Sequence, residues 1–327
     1  MHDRPTAPRP VSAHPGGGEK VVAHPAARRR RSALLAALAH QPPIVRAMRP
    51  LQWTKNGLVF AALAFDRQVF HLEPFLRCLA AALVFCAVSS GIYLINDVRD
   101  AEQDRLHPRK RYRPVAAGEL SPERATAVAA VLLVAGFAAA MAIRPAFAAV
   151  IAGYMVLMIA YSYWLKRLVI IDVFAIAAGF VLRAAGGAVA ISVPISPWLY
   201  VCTMLLALFL GFGKRRNELA TLQEAAVHHR ANLDSYSIPL LDQIIAVVSS
   251  ATVMTYSLYT FDAPNVPTNH AMMLTIPFVA YAIFRYLFLI YRKDQGGSPE
   301  VLLVTDRPLL LCITGWAIAS VAILYWA

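Results

Sequence analysis

Charged residues are scarce in this chain. They make up 15% of 327 residues, and only 19 are acidic, whereas a soluble domain carries about 25% charge. A soluble helix needs a polar face, and several of the apolar runs here have none, so a large soluble helical protein is excluded. Cysteine is also sparse. Cys78, Cys86, Cys202 and Cys312 each lie inside an apolar run, without metal-ligand spacing or a disulfide pattern; they read as small buried hydrophobes. No nucleic-acid motif accompanies the net charge of +12, and the basic residues sit between apolar blocks. That excludes a nucleic-acid partner and is the pattern of membrane-protein loops. The short stretch 32–38 is too brief for a signal-peptide core with a cleavage site, and none is expected.

What the chain has in abundance is hydrophobic length. Hydrophobic residues make up 58% and the mean hydropathy is +0.54. Runs of roughly 17–25 apolar residues suffice to cross a hydrocarbon core. Nine such spans are predicted, over residues 50–65, 76–95, 125–143, 147–165, 169–191, 198–212, 241–261, 272–290 and 309–326. The expected fold is an all-α, polytopic membrane bundle of nine transmembrane helices over residues 46–327. Residues 1–45, rich in Pro, Ala, His, Gly and Arg and containing Arg28 to Arg31, are expected to form a disordered basic tail. The four arginines either hold anionic headgroups or simply help to keep the N-terminus inside.

Positive charge sets the orientation. Lys and Arg cluster after the second, fourth, sixth and eighth spans, from Arg99 to Arg113, at Lys166 and Arg167, at Lys214 to Arg216 with Arg230, and at Arg292, Lys293 and Arg307. The other connections carry little beyond Arg67, Arg77 and Arg144. The N-terminus and these loops are therefore expected on the cytoplasmic side of a bacterial inner membrane, and the C-terminus outside. A transporter would carry ionisable groups near mid-membrane. Here Arg183 and Arg285 are the main ones, and the polar chemistry gathers at one mouth of the bundle. An enzyme that meets a lipid at the interface fits that distribution.

Five constellations carry the chemistry. The first is Asn96-Asp97-Val98-Arg99-Asp100-Ala101-Glu102-Gln103-Asp104. On a continuous helix Asn96, Asp97, Asp100 and Asp104 share a face. Carboxylates so close repel one another unless a cation neutralises them, and hard oxygen ligands suit Mg2+ together with substrate phosphates. Asp97, Asp100 and Asp104 are thus the candidate metal ligands and catalytic residues; the rival reading is a solvated acidic helix end balanced by Arg99 and Arg105. The second is the basic run from His107 to Pro114, including Arg111, which would complete a diphosphate site or serve only as positive-inside charge. The third ends the fourth span, with Tyr163, Lys166 and Arg167, followed by Asp172 and Arg183 on one face of the fifth span. Arg183 is expected to face the bundle interior, with an ion pair to another helix as the structural alternative. The fourth is Gly213-Lys214-Arg215-Arg216-Asn217-Glu218, followed by Asp234, Ser235 and Tyr236. Its glycine would let phosphate approach, although it is not a P-loop. The fifth is Gln52-Trp53-Thr54-Lys55-Asn56, where Lys55 either meets phosphate or snorkels.

Together these residues resemble the UbiA-type prenyltransferase superfamily of nine-helix intramembrane enzymes. Its Asn-Asp-x-x-Asp-x-x-x-Asp motif is matched by Asn96, Asp97, Asp100 and Asp104, and a Tyr-Lys-Arg stretch after helix four by Tyr163, Lys166 and Arg167 in looser spacing. The second Asp-x-x-x-Asp motif after helix six is replaced by the block from Gly213 to Glu218, which has one carboxylate. That block, with the sequence from Arg49 to Asn56 and Gly179-Phe180-Val181-Leu182-Arg183, looks like the decaprenyl-phosphate phosphoribosyltransferase branch.

The resemblance implies transfer of 5-phosphoribose from phosphoribosyl diphosphate to a polyprenyl phosphate, with release of diphosphate, in cell-wall arabinan precursor synthesis. It implies Mg2+ as cofactor, held by Asp97, Asp100 and Asp104 with Asn96 in support. Lys55, Lys166, Lys214 and Arg215 would bind phosphates, and Glu218 the ribose hydroxyls or a second metal. Asn56, Arg111, Tyr163, Arg183 and Tyr236 complete the expected substrate-binding set. Two alternatives stand: a prenyl diphosphate donor with an aromatic acceptor, and a non-enzymatic lipid-phosphate binder or transporter. Association into a homo-oligomer is left open.

Overall fold

In the computed structural model the described residues are 40–107, 110–225, 235–293 and 295–326. The basic tail up to residue 39, including Arg28 to Arg31, and also Pro108, Arg109, Arg230 and Asp234, lie outside them. Every regular element among the described residues is helical. In chain order they are α1 (Pro43–Met48), a 3-10 segment (Pro50–Phe60), α2 (Ala61–Phe65), α3 (Leu72–Arg99), α4 (Ala101–Leu106), α5 (Pro122–Ile143) and α6 (Pro145–Tyr163). They continue with α7 (Ile171–Ile191), α8 (Pro197–Ala225), α9 (Ile238–Asp262), α10 (Ile276–Lys293), α11 (Pro299–Thr305) and α12 (Arg307–Trp326). Eight of these helices are long and apolar enough to cross a membrane, and they coincide with the second to ninth predicted spans. The protein is a multi-pass membrane protein.

The first predicted span takes a different form. Arg49 precedes Pro50 and adopts a left-handed conformation, φ 56° and ψ 65°, which ends α1 with the Arg49 N–H donating to the Arg46 carbonyl. The chain then runs as a 3-10 helix for 11 residues before α2 adds five more. As one α-helix this stretch would reach only about 24 Å. The 3-10 part alone rises roughly 22 Å, which brings the whole to about 30 Å, the thickness of the hydrocarbon core.

The 3-10 period of three stacks the side chains in rows. Trp53, Asn56, Val59 and Ala62 form one row, and the last three of these are buried. Trp53 Nε1 donates to Ser90 Oγ at 3.0 Å and Asn56 Nδ2 to Cys86 Sγ at 3.1 Å, both on α3. Gln52 and Lys55 form the neighbouring row. Gly187 of α7 admits this segment: a Cβ there would lie 1.9 Å from the Val59 carbonyl oxygen, a distance no side chain tolerates.

Around this segment α3 packs on α5, α6 on α7, α7 on α8 and α8 on α9. One core lies between α7, α8, α9, α10 and α12, built on Phe209, Phe212, Ile245 and Leu289; a second lies between α3, α6 and α7, built on Phe85, Phe147, Ile151 and Tyr154. Antiparallel alternation brings the C-terminal ends of α3, α6, α8 and α10 to the same face as the N-terminal ends of α5, α7, α9 and α12. Every constellation singled out in the sequence among the described residues, apart from Arg183, lies at or near that end.

Candidate active site

The acid motif straddles a helix break. α3 stops at Arg99, Asp100 sits at φ −92° and ψ 6°, and α4 restarts at Ala101. The single continuous face expected of Asn96, Asp97, Asp100 and Asp104 is therefore interrupted. Asp97 and Asp104 are both buried and share the guanidinium of Arg113, whose Nη1 lies 3.2 Å from Asp97 Oδ1 and 2.6 Å from Asp104 Oδ2. Arg49 Nη2 also binds Asp97 Oδ1 and stacks 4.9 Å from the Tyr93 ring centroid. Asp100 turns away to Lys166, whose Nζ is 2.7 Å from both carboxylate oxygens. Among the described residues no three His, Cys, Asp or Glu side chains converge closely enough to cage a metal. Burial, and then the charge of Arg49, depress the Arg113 guanidinium, while the two aspartates oppose that shift.

The repulsion expected of three neighbouring carboxylates is thus relieved by three cations of the protein, Arg49, Arg113 and Lys166. One valence remains. Asp97 Oδ2 is buried without a hydrogen-bond partner, and leaving such an oxygen bare costs about 1–3 kcal/mol. Mg2+ prefers one or two carboxylates, with phosphate oxygens and water completing its shell. Paired carboxylates at Asp97 and Asp104, one with a bare oxygen, fit that requirement. Asn96 lies half-buried beside them.

Several other expected substrate contacts have been taken up by the protein itself. Arg183 is buried, and its three nitrogens donate to Asn56 Oδ1 (2.7 Å), Gly179 O (2.9 Å) and Tyr154 Oη (2.6 Å). It staples the 3-10 segment to α6 and α7, with no carboxylate partner among the described residues, and Asn56 is consumed in the same network. Arg215 is 2% exposed. It binds Asp172 Oδ2 at 2.7 Å and Glu218 Oε2 at 2.6 Å, so neither Arg215 nor Glu218 is left for a ligand in this arrangement. Tyr236 is buried; its hydroxyl accepts from the Ile170 N–H at 2.5 Å and donates to Asp172 Oδ1 at 3.2 Å. Burial pushes that hydroxyl up to about 12, so it remains protonated at neutral pH. The Tyr236 bond also braces Ile170, a β-branched residue at φ 68°, where strain is otherwise costly. Tyr163 is partly exposed and carries Arg99 4.1 Å above its ring centroid. Arg111 is exposed and donates to Tyr112. Gly213 serves packing: a Cβ on it would meet Ile290 Cδ1 at 2.8 Å.

Lys55 and Lys214 differ from these. Both are half-buried. Lys55 lies 5.9 Å from the Phe180 ring centroid, and its electrostatic neighbours are Glu300, Lys214, Arg183 and Arg49. No carboxylate lies within salt-bridge distance of either ammonium among the described residues. Glu300 was not singled out in the sequence. It is 7% exposed and accepts from Gln52 Nε2 at 2.7 Å. Burial works to raise its carboxyl, but Lys55, Lys214, its own backbone amide and Gln52 outweigh that and hold it below the ordinary glutamate value. A Gly296–Gly297–Ser298–Pro299 turn just before a lone acid was the available signal. Arg49 and Arg113, the partners of the acid motif, were visible only as members of basic runs.

An apolar cavity of about 330 Å³ runs between α8, α9, α10 and α12, from Phe65, Trp198 and Tyr259 at the opposite end of the bundle toward this one, with Leu206, Phe209, Ile283 and Leu303 among its walls. Pro299 and Tyr286 also line it, so its wall runs up to the residue next to Glu300.

Residues 57–305 match the UbiA prenyltransferase family. The chain belongs to that family. The fold agrees: a UbiA homolog from Archaeoglobus fulgidus bound to GPP and Mg2+ superposes with a TM-score of 0.66 at 19% identity, covering 86% of this chain and 99% of that one. Among curated UbiA relatives, a decaprenyl-phosphate phosphoribosyltransferase of Corynebacterium glutamicum is 34% identical over 87% of this chain and 89% of its own length. One from Mycobacterium tuberculosis is 34% identical over 84% of this chain and 94% of its own length.

Proposed function

We propose that this UbiA-family protein is an intramembrane transferase that moves 5-phosphoribose from phosphoribosyl diphosphate to a polyprenyl phosphate such as decaprenyl phosphate, releasing diphosphate. The relatives that carry this activity in their names support the reading. The observation that carries it is the pair of ammonium groups, Lys55 and Lys214, which have no carboxylate within salt-bridge distance among the described residues, while Asp97, Asp100 and Asp104 are already paired with Arg49, Arg113 and Lys166. A prenyl diphosphate with an aromatic acceptor brings one diphosphate. Phosphoribosyl diphosphate with a lipid phosphate brings a diphosphate, a 5-phosphate and an acceptor phosphate, and so makes use of the additional cations.

The residues divide the work. Asp97 and Asp104, with Asp100 and Asn96 beside them, would hold Mg2+. When bound, that ion neutralises the charge that develops on the leaving diphosphate. Arg49, Arg113 and Lys166 surround the same end as phosphate donors, and Lys55 and Lys214 take the remaining phosphates. The C1–O bond to diphosphate breaks and a C1–O bond to the lipid phosphate forms; the leaving group carries off the electron pair. The acceptor phosphate is already anionic at neutral pH, so no proton transfer and no general base are required. Catalysis is then mainly positioning and charge stabilisation. The apolar cavity supports a lipid acceptor. The positive-inside distribution supports a bacterial inner-membrane location with the site facing the cytoplasm, and the function supplies arabinan precursors for the cell wall.

Protein reconstituted in nanodiscs provides the test. Diphosphate release is expected only when phosphoribosyl diphosphate, polyprenyl phosphate and Mg2+ are all present. Turnover of a prenyl diphosphate with an aromatic acid, and none with phosphoribosyl diphosphate, would overturn the reading. Binding of polyprenyl phosphate without any turnover would replace the enzyme with a lipid-phosphate binder.

A further inference from the structure

The Lys55–Lys214 end of the site holds a buried carboxylate that the phosphates do not explain. A cluster built only to bind anions gains nothing from Glu300. A carboxylate taken out of water is costly unless it is paired and hydrogen-bonded. Glu300 is 7% exposed and among the described residues has one side-chain donor, Gln52 Nε2 at 2.7 Å. Lys55 and Lys214 act on it from beyond salt-bridge distance. A carboxylate has about four acceptor positions, so capacity remains for donors from outside the protein.

Its placement is built with care. Gly213 on α8 and Gly296 before α11 let the two backbones meet, since a Cβ on Gly296 would lie 3.2 Å from the Gly213 carbonyl oxygen and 3.3 Å from Asn217 Cβ. That contact brings the N-terminal turn of α11 against the segment that carries Lys214. Pro299 and Leu303, four apart on α11, face the apolar cavity, while Glu300 reaches Gln52 in the row that also holds Lys55. α11 therefore has a lipid-compatible side and a polar side, and Glu300 stands where the two meet.

A ligand that suits this corner offers anionic oxygens to the ammonium groups and hydroxyl donors to the carboxylate. A phosphorylated sugar offers both. A prenyl diphosphate has no hydroxyl, and would set its own charge against Glu300. Resting on the function proposed above, we infer that Glu300, oriented by Gln52, reads the vicinal hydroxyls of the ribosyl donor and is a specificity-determining residue for a sugar diphosphate over a prenyl diphosphate. Glu218, the carboxylate suggested by its position in the sequence, is instead bound to Arg215.

The experiment uses two stable carbocyclic analogues of phosphoribosyl diphosphate as inhibitors, one with both ring hydroxyls and one with neither. The wild-type enzyme is expected to prefer the diol by about 10- to 100-fold, the range for hydrogen bonds to a charged group. In Glu300→Gln that preference should fall by about 5- to 10-fold, from the range of hydrogen bonds to a charged group to that of neutral ones, with the KM for polyprenyl phosphate unchanged. Gln52→Met, which leaves the carboxylate in place but unanchored, should lose part of the preference and serves if Glu300→Gln does not fold. An undiminished preference in either folded variant overturns the role of Glu300. A wild-type enzyme that does not use phosphoribosyl diphosphate overturns the proposed function instead, so the two failures are separate.

Discussion

Two acid-bearing regions face each other across the same end of the bundle, and they differ in what remains after internal pairing. At the end of α3, Asp97, Asp100 and Asp104 are matched by Arg49, Arg113 and Lys166, yet a buried oxygen of Asp97 is left over. Near the C-terminal end of α8, Arg215 closes on Asp172 and Glu218, and Tyr236 caps Asp172. The first region keeps an unused acceptor and the second is a finished strut. The lesson is that charge alone does not mark a ligand site. The function proposed above rests instead on surplus valences: the bare carboxylate oxygen of Asp97, and the ammonium groups of Lys55 and Lys214, which have no carboxylate within salt-bridge distance among the described residues.

If that contrast is right, mutations on the two sides part company. The largest effect on turnover is expected from Asp97→Asn, which should lower kcat by about 100- to 1,000-fold while the purified protein keeps its thermal transition; chelation of Mg2+ should reproduce the loss reversibly. Retained turnover in Asp97→Asn would abolish the distinction. Next comes Asp172→Asn. It leaves the buried Arg215 charge short of a partner and should destabilise the fold by about 3–5 kcal/mol, seen as a lowered melting temperature in detergent. An unchanged melting point would mean that the α8 cluster is not a strut. The smallest effect is expected from Lys214→Met. Lys214 makes no salt bridge among the described residues but helps to hold the buried Glu300 ionised, so the change should cost no more than about 1 kcal/mol of stability and raise the KM of a phosphate substrate by about tenfold, the loss of one charge-assisted contact. A thermal shift without a KM change would assign Lys214 to the scaffold.

The spans and the acid motif were legible because both are local. Hydrophobic length announces a crossing helix, and Asn96, Asp97, Asp100 and Asp104 are neighbours in the chain. The first span was legible as a segment but not as a 3-10 helix, since its form answers to a left-handed Arg49 and to the close approach of Gly187. Asn56, Arg183, Arg215 and Tyr236 were expected to bind substrate, and in this structure their hydrogen bonds go to the protein itself. Their work is internal, and sequence cannot tell a side chain aimed at a ligand from one aimed at the next helix. Glu300 escaped notice because its significance lies in neighbours some 250 residues away, at Gln52.

The sequence by itself determined that this chain is a multi-span membrane protein of the UbiA type, with an acidic motif at the end of its second span. Those properties follow from hydrophobic runs and short spacings, which bilayer thickness and helix geometry read directly. Only the tertiary structure decided which cation neutralises which acid, which carboxylate keeps a free oxygen, and which glutamate stands at the border of the apolar cavity. Those choices depend on distances between helices, and Coulombic and hydrogen-bond energies follow distance in space, not separation along the chain.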